Sequence, residues 1–166
     1  METKNLAAGK RILIVDDEPD ILDTLADLLS ESTVIRASRF EAAKELLENE
    51  QFDLAILDIM GVDGYKLLEI AGQQNIIALM LTAHAMSPED TVKSFKKGAA
   101  YFVPKDEMAN IKTYLNDILE AHQKKKNPWL RWLERFSPYY NQRFGSDWQN
   151  MDKEFWEKYI EKYSNW

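Results

Sequence analysis

Five short apolar segments, each followed by the pattern of an amphipathic helix, constrain the fold of this chain more than any other feature. These segments are rich in β-branched and aliphatic residues and occupy residues 11–16, 33–37, 52–57, 76–81 and 100–103. Between them, apolar residues recur with helical spacing, as at Leu22, Leu25 and Leu29. Continuous apolar strands joined by helices are typical of a parallel sheet covered on both faces. The sequence therefore predicts a doubly wound α/β fold around a five-stranded parallel sheet.

Local signals predict where several of the helices begin. Pro19 and Pro88 suit the first turn of a helix, and Ser87 stands before Pro88 as an N-cap. Ser38 and Glu41 have the spacing of a capping box, which predicts that a helix begins beside them.

Composition divides the chain at three successive lysines, residues 124–126. Residues 1–123 carry 12 basic and 22 acidic side chains, whereas residues 124–166 carry 9 basic and 6 acidic side chains and all five tryptophans. We therefore expect a flexible N-terminus over residues 1–9, an acidic domain over residues 10–123 and an aromatic-rich helical extension over residues 124–166.

The residue content also excludes several classes of site. The chain has no cysteine and two histidines, which rules out disulfides, thiolate metal sites and multi-histidine zinc centres. Its first residues lack the apolar core of a secretory signal, and no apolar run approaches the length of a membrane helix. These features predict a cytoplasmic protein.

Polar residues that suit a cation and a phosphoryl group stand at the carboxyl ends of the predicted strands, where α/β folds form their ligand sites. They are Asp16 and Asp17, Asp58, Thr82 and Lys105. If the first and third strands are neighbours, the three carboxylates converge and repel one another unless a cation lies among them. Mg²⁺ prefers such oxygen ligands. With a hydroxyl and an ammonium nearby, this crevice suits the transfer of a phosphoryl group to an aspartate.

These motifs resemble the receiver domain of bacterial two-component response regulators. The resemblance covers about residues 10–122 and rests on VDDEP (15–19), LD (57–58), the glycine of DGY (63–65), LTA (81–83) and PK (104–105). It implies a flavodoxin-like receiver fold in which Asp58 accepts a phosphoryl group from the phosphohistidine of a histidine kinase or phosphotransfer protein.

The resemblance also implies how a magnesium ion is held. Asp17 would bind Mg²⁺ directly and Asp16 mostly through water, while Asp58 and the backbone carbonyl of Met60 would supply further ligands. The loop over residues 58–64 is two residues shorter than is common in the family and has no proline, and Gly61 would allow the tighter turn. Asp63, in the same loop, is expected at a helix N-cap rather than among the ligands.

The phosphoryl group and the switch involve a second set of residues in the family. Thr82 and the backbone N–H of Ala83 would hold phosphoryl oxygens, and Lys105 would pair with the phosphoryl group. Thr82 would also move toward this group. The switch aromatic of the family lies three residues before the lysine and falls on Phe102, with Tyr101 next to it as the alternative.

The extension predicts two amphipathic helices. Asn127 and Pro128 suit the start of the first helix, which we expect to end at Pro138, and the second is expected to start at Ser146. Their aromatic stripes are Trp129, Trp132, Leu133 and Phe136, then Trp148, Met151, Phe155, Trp156, Tyr159 and Tyr163. A unit this small cannot bury so much aromatic surface by itself. Docking on its own domain or on a second copy is favoured over an interface for a different protein.

The function that these features favour is a signalling receiver that passes its state to a downstream protein or a homodimer. It would be a phosphoacceptor rather than an enzyme with a separate substrate. The weak basic excess and the lack of a helix-turn-helix pattern argue against a DNA-binding output, and Glu154, Glu157 and Glu161 argue against membrane binding. Two alternatives remain open: a small Mg²⁺-dependent phosphatase or phosphotransferase that forms an aspartyl phosphate, and a pseudo-receiver scaffold that never carries phosphate.

Overall fold

The fold is a five-stranded parallel sheet with helices on both faces and a helical extension. The computed structural model describes residues 4–83 and 87–163, with side chains described as far as residue 158. The strands follow the order β2-β1-β3-β4-β5 across the sheet. Their bounds are Arg11–Val15 (β1), Thr33–Ala37 (β2), Leu54–Asp58 (β3), Ile77–Thr82 (β4) and Tyr101–Pro104 (β5). The predicted doubly wound α/β architecture is confirmed.

Helices alternate with the strands and then continue beyond the sheet. The first five are Pro19–Leu28 (α1), Phe40–Asn49 (α2), Gly64–Gln73 (α3), Pro88–Lys96 (α4) and Ile111–Gln123 (α5). A 3₁₀ helix over Lys105–Asn110 links β5 to α5. The extension consists of Trp129–Phe144 (α6), a 3₁₀ helix over Trp148–Asp152 and Lys153–Tyr163 (α7). We refer to residues 129–163 as the tail.

Strand register brings the polar strand ends to one edge of the sheet. Val15 is level with Leu57, so Asp16 and Asp58 follow at the same height on neighbouring strands. Asp58 is level with Leu81, which places Thr82 one residue further along. Thr82 is level with Pro104, and Lys105 follows directly. The parallel arrangement alone therefore gathers these side chains.

The central strands are buried on both faces, as their apolar sequences predict. In β3 all five residues are buried, and in β1 the four residues from Ile12 to Val15 are buried. A sheet with two covered faces holds its strand ends rigidly, which is what a site built from several strands requires.

The first described residues lie against this domain, where the sequence predicted a flexible segment. Ala7 is buried, and its carbonyl accepts a hydrogen bond from the Ser32 hydroxyl. The side chain of Asn116 in α5 accepts a hydrogen bond from the Leu6 N–H and donates one to the Lys4 carbonyl.

The predicted helix starts at Pro19 and Pro88 are confirmed, and the one at Ser38 is wrong. Ser87 caps α4 through its hydroxyl, which accepts a hydrogen bond from the Asp90 N–H at 3.1 Å. The capping box at Ser38 does not form, because α2 begins one residue later than the box requires, with Arg39 at the N-cap position and no side-chain cap.

The prediction that Pro138 ends a helix is wrong. Helix α6 continues through Pro138 to Phe144. A proline inside a helix costs about 3 kcal/mol because it lacks a donor and crowds the preceding turn. On either side of it, Phe136 and Tyr140 are buried, and burying each large side chain contributes about 1.5–3 kcal/mol. Packing against the domain outweighs the local cost.

The second helix of the tail starts later than the sequence predicted. Residues Trp148–Asp152 form a 3₁₀ helix, and α7 begins at Lys153. The side chain of Asp152 accepts a hydrogen bond from the Phe155 N–H, so it supplies the cap that was expected near Ser146. The side chains of Tyr159 and Tyr163, expected in the aromatic stripe, lie outside the described residues.

The tail docks on its own domain, one of the arrangements that the sequence favoured. Its buried side chains are Trp132, Phe136, Tyr140, Trp148, Phe155 and Trp156. They join the same hydrophobic core as the sheet. Within the ranges 4–83 and 87–163, no helix has both the length and the apolar character needed to cross a membrane.

Candidate functional site

Three carboxylates meet where β1 and β3 end. Asp16 is fully buried and Asp58 is 3% exposed, whereas Asp17 is open to solvent. Each offers an oxygen that lies within 4.8 Å of an oxygen of the other two. Hard oxygen donors at this spacing fit a small divalent cation such as Mg²⁺, which takes one or two carboxylates and completes its shell with water and substrate oxygens. The exposed side of the cluster, at Asp17, gives a cation a route in.

Lys105 supplies a positive charge to this cluster. Its ammonium lies 2.8 Å from Asp16 Oδ2 and 3.5 Å from Asp58 Oδ1. The lysine side chain is 10% exposed, so these pairs are poorly screened by water. Lys105 holds its place because β5 ends at Pro104, after which the chain turns into a 3₁₀ helix.

Burial and crowding change the protonation of the acids. The pKa of Asp58 is raised to about 7, mainly by burial and also by the charges of the nearby Asp16 and Asp17, while Lys105 opposes the shift. Burial also raises the pKa of Asp16, against the lowering effect of its hydrogen bond with Lys105. Burial lowers the pKa of Lys105, but hydrogen bonding to Asp16 and the charge of Asp58 outweigh it and leave the pKa raised. The raised pKa values favour the protonated form of these acids, and a bound cation would favour the ionised form.

The shortened loop after Asp58 makes close backbone contacts with the cluster. Gly61 has a φ of +81°, and a Cβ there would lie 2.6 Å from Asp17 Oδ2. A Cβ on Gly64 would lie 2.1 Å from the Asp58 carbonyl oxygen. Both positions require glycine, because a side chain would displace the Asp17 carboxylate or the backbone at the end of β3. The two glycines explain how a loop two residues shorter still closes.

Two other loop residues have exposed side chains. Met60 lies in the turn and is 73% exposed. Asp63 occupies the N-cap position of α3 with a left-handed backbone, but its side chain makes no capping hydrogen bond and pairs instead with Lys66 at 3.3 Å. Asp63 thus stands at the expected position and lies outside the acidic cluster.

Thr82 is the last residue of β4 and Ala83 follows it, on the side of Asp58 away from β1. The Thr82 side chain is buried at the end of the strand, and Ala83 is exposed at the start of the next loop. His84, which the sequence places beside the site, lies outside the described residues.

The two aromatic residues considered for a switch are both fully buried in β5. The Tyr101 hydroxyl donates a hydrogen bond to Asp117 Oδ2 at 2.6 Å. The Phe102 carbonyl accepts a hydrogen bond from the indole of Trp132 at 2.7 Å. Both residues are therefore connected to α5 or to the tail, rather than free at the surface.

Sequence reasoning missed one charged neighbour of the site. Glu18 lies 3.5 Å from the Lys105 ammonium, and its backbone N–H donates to Asp16 Oδ1 at 2.9 Å. The sequence contains a signal for this neighbour, since Glu18 follows the two aspartates directly.

Comparisons with known proteins agree with this geometry. The response regulator receiver domain family matches residues 12–116, well over half of the chain. "Two-component response regulator ARR10" of Arabidopsis thaliana is 34% identical over 127 residues, which cover 72% of this chain and 23% of that protein. The chain thus spans about a quarter of this relative, so the match concerns the receiver portion.

Solved structures give the same result. A CheY-like response regulator receiver domain protein from Methanospirillum hungatei JF-1 is 32% identical, with a TM-score of 0.57 over 68% of this chain and 98% of that one. A response regulator protein from Burkholderia pseudomallei, crystallised with a phosphorylated aspartic acid, calcium ion and citrate, is 25% identical with a TM-score of 0.59 over 70% of this chain and 72% of that one. The chain described here belongs to the response regulator receiver domain family.

Proposed function

We propose that this protein accepts a phosphoryl group on Asp58 from the phosphohistidine of a histidine kinase or phosphotransfer protein. The observation that carries the proposal is the position of Asp58 between two acids and Lys105. The buried Asp58 carboxylate would be the nucleophile, and the Lys105 ammonium 3.5 Å away would pair with the phosphoryl oxygens in the same crevice.

The transfer itself needs little from the protein beyond placement and charge. An oxygen of the ionised Asp58 attacks phosphorus, and the new O–P bond forms as the P–N bond of the phosphohistidine breaks. The imidazole nitrogen keeps the electron pair and takes a proton from water. Because the pKa of Asp58 is raised to about 7, positive charge at the cluster is needed to keep this carboxylate ionised and nucleophilic.

Mg²⁺ is the cofactor we propose for this site. Asp16, Asp17 and Asp58 would hold it, with the backbone carbonyl of Met60 as a further ligand. When bound, it would neutralise charge that develops on the phosphoryl oxygens. The carbonyl of Met60 is a suitable candidate because the turn at Gly61 keeps this backbone against Asp17.

The remaining site residues would contact the phosphoryl group once it is attached to Asp58. Lys105 would turn from Asp16 to the phosphoryl oxygens, and the Thr82 hydroxyl and Ala83 N–H would donate hydrogen bonds to them. Thr82 would move toward the new charge, and Phe102, or Tyr101 beside it, would respond because β4 and β5 pair at Thr82 and Pro104. We propose that the protein then signals through a protein contact, with a homodimer as one form of it, rather than through DNA.

The test is incubation with Mg²⁺ and a small acyl-phosphate donor, followed by intact-protein mass measurement. The expected result is the gain of one phosphoryl group that requires Mg²⁺ and is lost in Asp58→Asn. Asp63→Asn is the matched control, since Asp63 lies in the same loop and pairs with Lys66 at the surface. It should still be phosphorylated.

Two results would overturn the proposal. No mass gain in the presence of Mg²⁺ would indicate a pseudo-receiver. A gain that persists in Asp58→Asn would place the acceptor elsewhere.

A further inference from the structure

The tail lies along β5, the edge strand of the sheet, between α4 and α5. Trp132 packs against Phe95 of α4 with ring centroids 5.0 Å apart, and Phe136 packs against Tyr114 of α5 at 5.1 Å. Two indole N–H groups bond to the main chain of this region: Trp132 donates to the Phe102 carbonyl at 2.7 Å and Trp129 to the Ala99 carbonyl at 3.0 Å. The tail therefore covers the α4–β5–α5 face of its own receiver domain.

A buried carboxylate on this face depends on the tail. Asp117 of α5 is 7% exposed. It accepts a hydrogen bond from the Tyr101 hydroxyl and two from the Arg135 guanidinium, of which that from Nη2 is 2.9 Å long. A buried acid without a cation is costly. Arg135 is thus a specific partner for this face.

Two further contacts reach elements that flank the phosphorylation site. The Tyr140 hydroxyl hydrogen-bonds with the Thr91 hydroxyl in the buried interface with α4. The Tyr139 hydroxyl donates to the carboxylate of Asp106, with oxygen distances of 3.2 and 3.1 Å. Asp106 is the residue after Lys105, so this tail contact adjoins the residue whose ammonium lies beside Asp16 and Asp58.

From these contacts we infer that the tail is the built-in partner of the α4–β5–α5 face, that it binds the unphosphorylated form better, and that phosphorylation of Asp58 weakens its docking. The inference rests on the proposed function. The reason for the direction is geometric. The tail contacts are satisfied with Lys105 held at 2.8 Å from Asp16, and a phosphoryl group on Asp58 draws Lys105 away from that position together with the adjoining Asp106.

Tail release would expose an aromatic face on each side of the contact. On the tail this surface includes Trp132, Phe136 and Tyr140, and on the domain it includes Phe95 and Tyr114. Such apolar surface is a binding site for another protein only once the tail has left. Docking and phosphorylation would then oppose each other, and the coupling must be reciprocal in binding free energy.

The test measures amide hydrogen exchange in residues 129–144 of the full chain. Mass spectrometry of the same sample determines whether Asp58 carries phosphate. Phosphorylated protein is expected to exchange these amides faster by about fivefold or more, the lower end of typical coupling between sites. Asp58→Asn, treated with the same donor, should show no change.

A second measurement uses the reciprocal coupling between tail docking and phosphorylation: weaker docking should strengthen binding of a phosphoryl mimic. Arg135→Met removes the partner of Asp117 without touching the phosphorylation site, and Arg131→Met on the same helix removes only a surface pair with Glu134. With Mg²⁺ and beryllofluoride as the phosphoryl mimic, Arg135→Met should bind the mimic about fivefold more tightly than the native chain, and Arg131→Met should not differ from it.

The outcomes separate the two proposals. If Asp58 is phosphorylated but exchange in residues 129–144 is unchanged or slower, the tail inference is wrong and the phosphoacceptor function stands. Unchanged mimic affinity in Arg135→Met would also overturn the inference. If no phosphoryl group is gained, both proposals are wrong.

Discussion

The Lys105 ammonium lies 2.8 Å from Asp16 and 3.5 Å from Asp58, so the lysine at this site is held mainly by a neighbour of the proposed acceptor. This arrangement keeps the ammonium inside the crevice formed by the two acids. It also makes Lys105 the counter-charge for two buried acids.

Replacing Lys105 should therefore destabilise the metal-free protein. In Lys105→Met, two buried carboxylates lose their cation, and we expect the free energy of unfolding to fall by about 1–3 kcal/mol at about pH 8. Lys66→Met, which breaks only the exposed pair with Asp63, should change it by less than about 0.5 kcal/mol. Urea unfolding followed by circular dichroism, with a chelator present, measures both. Equal losses in the two variants would contradict this role of Lys105.

Removing the Asp58 charge should have the opposite effect on stability. Its pKa is about 7 in the folded protein against an ordinary 3.8, so between these values the folded form binds more protons than the unfolded chain. The free energy of unfolding then falls as pH rises through this interval and levels off above it, by up to about 1.4 kcal/mol per pH unit.

The Asp58→Asn variant lacks this pH-dependent contribution to the free energy of unfolding, so comparing it with the native chain measures the contribution. Without Mg²⁺, its stability relative to the native chain should rise by about 2 kcal/mol between about pH 5 and pH 8. Added Mg²⁺ should stabilise the native chain at the higher pH and reduce the difference. A difference that does not vary with pH would show that Asp58 titrates normally.

A methyl group at Gly61 should damage the proposed Mg²⁺ site more than the fold. Gly61→Ala would place a Cβ 2.6 Å from Asp17 Oδ2, whereas Gly9, with a similar φ of +75°, has no atom within 4 Å of such a Cβ. Both alanines carry a backbone cost of about 1–2 kcal/mol. Only Gly61→Ala should also weaken Mg²⁺ binding, by about tenfold or more. Titration calorimetry tests this, and equal Mg²⁺ affinity in the two variants would refute the contact.

The indole of Trp132 should contribute to tail docking through its N–H hydrogen bond as well as through the apolar surface that it buries. Trp132→Phe leaves the buried Phe102 carbonyl without this donor and leaves a small cavity, so we expect a loss of about 2–3 kcal/mol in the free energy of unfolding. Trp129→Phe is the matched control, because its indole is only partly buried and should cost less. A similar loss in both variants would contradict the larger contribution expected of the buried indole of Trp132.

The grouping of the polar residues at the strand ends could be predicted from the sequence, because a parallel sheet brings the carboxyl ends of its strands to one edge. Once the apolar segments are strands and the connections are helices, Asp16, Asp58, Thr82 and Lys105 must reach the same edge. The register confirms this arrangement through the pairs Val15–Leu57 and Thr82–Pro104. Residue type and position in the strand were sufficient.

Features that depend on contacts distant in sequence could not be read in this way. The propensity of Pro138 to end a helix is local, but the burial of Phe136 and Tyr140 that outweighs it comes from packing against α4 and α5. The contact of Gly61 with Asp17 joins two loops 44 residues apart, as their numbers in the chain show. Likewise, the sequence indicated that the aromatic stripe must be buried but not on which surface.

The most direct test of the phosphoacceptor proposal is peptide mass mapping of the protein after incubation with Mg²⁺ and a small acyl-phosphate donor. We predict a single added phosphoryl group on Asp58, absent when a chelator removes Mg²⁺. A phosphoryl group on any other residue, or none at all in the presence of Mg²⁺, would contradict the account.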